Sequence, residues 1–207
     1  MSMYFRRQRT KALTSISLLV LSILLAGCLG NDEEWHGKDI SGLMPELEFT
    51  LTDSQGEPVS GNDYSGRVRM LFFGFTSCPD VCPTALQKLN QATNGLGPEL
   101  QDEVLTLFVS VDPKRDTPER LANYVDFFGD NIVGLTGSES QLRELAKRYR
   151  TTFGYEKPDE DGNYEVSHSS AVYVFDRTGN ARLLIRPDLS PEEIRQDLVA
   201  LIEQVPD

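Results

Sequence analysis

Apolar and polar positions divide the chain into strands alternating with helices. Leu47, Phe49 and Leu51 alternate with Glu46, Glu48, Thr50 and Thr52, the period-two pattern of a half-buried strand. Asp53-Ser54-Gln55-Gly56 is turn chemistry, and Pro58-Val59-Ser60 predicts a short return strand. Residues 68–75 form a nearly continuous apolar run, as a strand covered on both faces requires. Pro83 suits the first turn of a helix, which the pattern carries over residues 83–96 before Gly95 and Gly97 end it. Residues 104–111 predict a second buried strand, stopped by Asp112-Pro113. Asp116-Thr117-Pro118-Glu119 opens a helix with Leu121, Tyr124, Val125 and Phe128 on one face. Residues 132–135 are a short strand, and Ser138 with Gln141 forms a capping box for a helix through Tyr149. Residues 154–168 are polar and turn-rich, a long loop or an exposed hairpin. Residues 171–175 and 182–185 flank the turn 176–180, a hairpin signal, and Ser190-Pro191-Glu192-Glu193 caps a C-terminal helix carrying Ile194, Leu198, Leu201 and Ile202.

Strands and helices in this order predict an α/β sandwich: a central mixed β-sheet flanked by helices, with a β-hairpin insertion. The domain is expected over residues 44–207. Residues 29–43 are polar with little periodicity and read as a flexible tether.

The first 27 residues do not belong to that pattern. Arg6, Arg7, Arg9 and Lys11 precede a short apolar run over residues 13–25, interrupted by Thr14, Ser15, Ser17 and Ser22. A spanning helix needs about 20 predominantly apolar residues, so this run reads as an export signal. Leu25-Ala26-Gly27-Cys28 looks like a bacterial lipoprotein signal, with Cys28 the lipidated residue after cleavage. A membrane-anchored protein of the bacterial cell envelope, facing the periplasm or the outside of the cytoplasmic membrane, is the expectation.

Charge narrows the partners. The whole chain carries a formal charge of −12; losing the signal removes four basic residues and no acid, leaving 16 Lys+Arg against 32 Asp+Glu, or −16. Such a surface repels phosphate backbones and argues against nucleic acid.

Three cysteines are present. With Cys28 assigned to a lipid, Cys78 and Cys82 remain, in FFGFTSCPDVCPT at the junction of an apolar strand and a helix. A disulfide across four residues closes a tiny loop and stabilises little, so the pair suits chemistry better than a structural staple. A cysteine near a helix N-terminus is expected to have a lowered pKa, favouring the thiolate that binds metal and attacks disulfides. An offset of four returns to nearly the same helical face.

His168 stands where the polar segment meets the strand that begins at Ala171. It is either a packed or surface residue or an imidazole that reaches over the dithiol. The strand over residues 171–175 could run beside the one that delivers the cysteines. His36, in the tether, is read as incidental. Two thiolates and one imidazole would make a three-coordinate soft set, suited to one copper ion, Cu(I) or Cu(II), better than to structural zinc, which takes four protein ligands. Asp112 carries two readings: a carboxylate that tunes the thiols or touches the metal, or a strand-end turn residue. Lys114 and Arg115 are either solvated or guide a partner. Asp80 either biases the site or is a helix-start carboxylate.

FFGFTSCPDVCPT, then VSVDPKRDTPE, then a histidine before SSAVYVFD, resembles the Sco/SenC family of copper-binding proteins over residues 45–205. The resemblance implies a thioredoxin-like fold, a membrane anchor and a role in building the binuclear copper centre of cytochrome c oxidase. It implies that Cys78, Cys82 and His168 bind copper and that Asp112 is the aspartate of the DP element. The expected partner is the copper-bearing oxidase subunit, with other periplasmic copper chaperones or thiol reductants beside it. Many members carry an acidic residue just before the histidine, where this chain has Ser167. The leading reading is a metallochaperone. The alternatives are a thiol–disulfide oxidoreductase with Cys78 and Cys82 as its redox pair, Cys78 being the more exposed, or a redox or copper sensor.

Overall fold

A computed structural model describes residues 34–204 of the chain. The export segment and Cys28 lie outside the described residues. Strand β1 covers Lys38–Asp39, β2 Thr50–Asp53, β3 Pro58–Ser60, β4 Val68–Gly74 and β5 Val104–Ser110. Then come β6 Ile132–Thr136, β7 Gly154–Tyr155, β8 Val166–Ser167, β9 Val172–Phe175 and β10 Ala181–Ile185. The helices are α1 Val81–Asn94, α2 Pro118–Asp126, α3 Glu139–Arg148 and α4 Pro191–Glu203.

Among the described residues eight strands form one mixed sheet in the order β1-β10-β9-β4-β5-β6-β2-β3. Its centre is parallel: Val68 to Gly74 of β4 face Val104 to Ser110 of β5, and β5 pairs parallel with β6. Parallel neighbours need a crossover, and α1 supplies it between β4 and β5. All seven positions of both β4 and β5 are buried, which explains their unbroken apolar runs. The exception in charge is Arg69, buried on β4, whose guanidinium donates to the Asp176 carbonyl. On the other side of β4 lies β9, antiparallel, with Phe72 opposite Val172. Helices α1 and α4 pack on each other, and α2 lies against β6, where Gly134 leaves room for Leu121. Among the described residues no helix is long and apolar enough to cross a membrane.

The mixed α/β architecture agrees with expectation, and the capping boxes at Ser138 and Ser190 are formed. Several boundaries differ. Helix α1 starts at Val81, two residues before Pro83, so Cys82 lies inside it. The strand expected from the Leu47, Phe49 and Leu51 alternation is β2, which starts only at Thr50, although Leu47 and Phe49 are buried ahead of it. The polar stretch after α3 takes the second of its two expected forms, a short antiparallel hairpin with Gly154 opposite Ser167 and Tyr155 opposite Val166.

The tether is corrected most. From Trp35 onward the segment belongs to the domain. Strand β1 pairs antiparallel with β10 at the sheet edge, and Ile40 is buried. Asp197 of α4, itself buried, accepts hydrogen bonds from the backbone N–H of His36 at 3.0 Å and of Gly37 at 2.8 Å. Arg182 lies over the Trp35 ring. Local composition was polar enough to read as tether because these contacts are to backbone and to the sheet edge, which leave no apolar period. His36 is therefore part of this docking, its ring also within 2.8 Å of Gln196 Oε1.

Candidate metal centre

The parallel strands β4 and β5 end side by side, and the ladder runs one step further as Val111 N–H donates to the Gly74 carbonyl at 2.8 Å. Crevices beyond the carboxyl ends of such strands are the usual place for a site in open α/β sheets. Here the chain leaves β4 through Phe75, Thr76 and Ser77 and turns at Cys78, whose N–H donates to the Phe75 carbonyl. Cys78 is thus in the loop, not on the helix. The i, i+4 helical face expected for the pair is replaced by a turn that brings Cys78 Sγ to 3.4 Å from the Cys82 N–H in the first turn of α1. That N–H lacks an intrahelical partner, as helix starts do, and the Cys78 sulfur takes it.

Cys82 is fully buried and Cys78 partly exposed; both are free thiols. Gly74 makes the burial possible. A Cβ there would come within 2.5 Å of Phe108 Cε2 and 2.8 Å of Cys82 Sγ. The lowered pKa expected of a helix-start cysteine is not found at Cys82. Burial pushes its thiol well up, against a partial opposing effect of the hydrogen bond with the Phe75 backbone. Desolvation by the core outweighs the helix terminus.

His168 follows β8 and reaches the thiols. Its Nε2 lies 3.3 Å from Cys82 Sγ. The ring stands edge-on to Phe72 and Phe75, with centroids 6.0 and 5.7 Å away. Its Nδ1 is 2.9 Å from the Ser169 carbonyl oxygen, which can only accept. Nδ1 therefore donates to that carbonyl, and in the neutral imidazole this leaves the Nε2 lone pair facing the sulfur side.

One donor atom each from Cys78, Cys82 and His168 lies within 4.8 Å of the others. A first-row ion with bonds of about 2.0–2.3 Å needs three donors roughly 3.5–4 Å apart in a plane, so small adjustments suffice. Two sulfurs and one imidazole nitrogen favour copper, and three ligands leave the ion open to exchange.

Asp112 is not in this group. Its buried carboxylate accepts from Tyr164 Oη at 2.6 Å and from Arg115 Nε. The Arg115 guanidinium lies 3.9 Å from the Tyr164 ring centroid and also near Phe75. Arg115 is accordingly bound, neither simply solvated nor free to guide a partner. Asp80 stands at the N-cap of α1, exposed, and accepts from Thr84 Oγ1 at 3.4 Å.

The residue the sequence undervalued is Asp116. Thr117 caps α2, accepting from Arg120 N–H at 3.3 Å. Asp116 is buried and accepts from Thr76 N–H at 2.8 Å, Thr76 Oγ1 at 2.6 Å and Ser110 Oγ at 2.5 Å. Arg120 reinforces it, donating to Thr76 Oγ1 and Ser77 Oγ at 2.7 and 2.9 Å. The cysteine loop is thereby fastened to the end of β5. An acid two residues before Pro118 carries a capping signal in sequence, which hid this longer-range job.

Comparison with known proteins covers most of the described domain. A model of the SCO1/SenC family matches residues 42–203. The SCO2-like protein of Rickettsia felis is 36% identical over 152 residues, covering 73% of this chain and 74% of that protein. The structure of Bradyrhizobium japonicum ScoI with copper bound superposes with a TM-score of 0.69 at 34% identity, over 75% of this chain and 98% of the other. The apo Sco1 protein from Thermus thermophilus does so with a TM-score of 0.72 at 37% identity, over 83% and 99%.

Proposed function

The chain belongs to the SCO1/SenC family, and from that premise we propose that it is a copper metallochaperone of the bacterial cell envelope. One copper ion is its cargo, held by Cys78, Cys82 and His168 and passed to the copper-bearing subunit of cytochrome c oxidase. The observation that carries this reading is the convergence of two sulfurs and an imidazole nitrogen on one point beyond the carboxyl end of the central strand β4. The Nδ1 contact with the Ser169 carbonyl holds the imidazole in the tautomer that ligation needs. Loading the site displaces a proton from Cys82, whose thiol is held neutral by burial. Partial exposure of Cys78 supports release by exchange, with an incoming thiolate reaching that side first.

Residues 1–27 act as an export signal and Cys28 carries the lipid that anchors the domain to the membrane. Radiolabelled palmitate incorporated into the chain and lost in Cys28→Ser checks this.

A second reading, a thiol–disulfide oxidoreductase, is favoured by the same asymmetry of the cysteines. The Cys78 thiolate would attack a partner's disulfide, releasing one partner thiolate. Cys82 would then displace the second, so that the partner gains two electrons and this pair becomes the disulfide. A cysteine pair in that state cannot hold copper.

His168→Ala separates the two. It is expected to lower copper affinity and oxidase assembly while dithiol exchange continues. Unchanged affinity and assembly in that variant would remove imidazole ligation and the metallochaperone reading with it.

A further inference from the structure

His168 comes to Cys82 on the end of the β7–β8 hairpin, and two tyrosine hydroxyls fasten that hairpin to the segment leaving β5. Tyr155 Oη donates to the Val111 carbonyl at 2.6 Å, and Tyr164 Oη donates to Asp112 Oδ1 at 2.6 Å. The two rings meet edge to face, 5.9 Å between centroids. The hairpin itself is narrow: two ladder pairs, continued by Glu156 N–H to the Glu165 carbonyl. An isolated two-stranded ribbon is marginal in water, so its placement depends on what it is tied to.

We propose that Tyr164 is a positioning residue for His168, latching the hairpin to Asp112 so that the imidazole is held at Cys82. This rests on the copper-site reading above. Three features support it. First, the anchor is rigid: the Asp112 carboxylate is fully buried and held by Arg115 on its other oxygen, and its backbone N–H donates to Ser110 Oγ. Second, the Arg115 guanidinium stacks between the Tyr164 ring and Phe75, and Phe75 also touches the His168 ring. The latch and the imidazole therefore share one wall. Third, Tyr164 stands four residues before His168, with the buried Val166 between them. Only Glu165 and the β8 pair Val166–Ser167 link the two, so a shift of the tyrosine is carried into β8 and on to the histidine. Asp112 thus acts on the site through the histidine arm rather than by touching the thiols.

The test is a cycle in the full chain with Tyr164→Phe, which removes one hydroxyl, and His168→Ala. Cu(I) affinity is read by competition with a chromophoric chelator, and nitrogen ligation by the superhyperfine pattern in the Cu(II) electron paramagnetic resonance spectrum. Tyr164→Phe is expected to weaken copper on the order of tenfold, as partners that orient a ligand do, and to broaden or lose the nitrogen pattern. In the His168→Ala background the same substitution is expected to change nothing. Asp112→Ala, which removes the acceptor of the Tyr164 hydroxyl, should behave as Tyr164→Phe does. A Tyr164→Phe chain with unchanged affinity and nitrogen pattern overturns the latch. So does an equal loss with and without His168, which would mean that the tyrosine acts on the fold or the thiols. If His168→Ala itself binds copper as the parent does, the ligand set fails and the latch falls with it. A weakened His168→Ala beside an unaffected Tyr164→Phe removes the latch alone.

Discussion

Cys82 Sγ and His168 Nε2 stand 3.3 Å apart although 86 positions separate them in the chain. The sulfur is delivered by the first turn after β4, and the nitrogen by the hairpin that precedes β9. Because β9 pairs antiparallel with β4, its start lies beside the end of β4, and the two deliveries meet at the same end of the sheet. This adjacency ranks the two thiols, one sealed beneath the ring and the other open to the surface.

Alkylation should follow that ranking. Iodoacetamide is expected to modify Cys78 first and Cys82 only slowly, since the second sulfur is buried and its thiol held protonated. Mass spectrometry of timed quenches in the metal-free, reduced protein reads the order. Equal rates would contradict the burial described for Cys82.

Gly74 should not tolerate a methyl group. The added Cβ in Gly74→Ala would meet the Phe108 ring and the Cys82 sulfur, both rooted in packed elements. Overpacking of this kind costs about 1–3 kcal/mol, and the displaced sulfur lowers copper affinity as well. Urea unfolding and a copper titration measure the two effects; a variant matching the parent in both would show that the strand end yields.

Asp116→Ala leaves the Thr76 N–H and the Ser110 hydroxyl buried without their acceptor. A loss of roughly 2–3 kcal/mol is expected from those groups. It should come with faster alkylation of Cys78, because the loop bearing it is released. Denaturant midpoints and the alkylation rate check both. A destabilised variant whose Cys78 reacts at the parent rate would separate the fold from the loop.

The N-terminal segment should detach in Asp197→Ala. Its two hydrogen bonds to the His36 and Gly37 N–H groups are lost, worth about 3–6 kcal/mol together when the acceptor is charged. Limited proteolysis is then expected to cut within residues 35–43, where the parent resists. Identical digestion patterns would mean that the β1–β10 pairing alone holds the segment.

Acid stability should depend on Asp176. Burial opposes its charge, but hydrogen bonds from Thr178, Asn180 and Gly179 in the β9–β10 turn prevail and hold its carboxyl below the ordinary range. A depressed folded-state pKa stabilises above the unfolded carboxylate value, near pH 4, and the contribution fades as pH falls through the folded value. Melting temperatures from pH 7 to pH 2 should therefore drop less steeply in Asp176→Asn than in the parent, from a lower starting point. Parallel curves would exclude this carboxylate from acid unfolding.

Much of the fold was readable because its signals are local. The runs that became β4 and β5 are apolar at nearly every position, and Ser138, Ser190 and Pro191 mark helix starts by chemistry within four residues. What was misread lacks local signal. Residues 35–43 dock through backbone groups and a distant Asp197, and Leu47 and Phe49 are buried without belonging to a ladder. Asp116 and Arg115 look like a cap and a surface charge, yet their partners, Thr76 and Tyr164, are far along the chain.

Sequence by itself determined which atoms were available: two sulfurs framed by prolines at a strand–helix junction, and a histidine beyond a polar segment. Tertiary structure alone decided that β9 lies against β4, that Gly74 admits the Cys82 sulfur into the core, and that Asp112 grips Tyr164. The physical reason is that donor chemistry is a property of each residue. Burial and hydrogen-bond partnership depend on which distant strands pair, and desolvation of Cys82 there reversed the shift that its place in the first turn of a helix alone would predict.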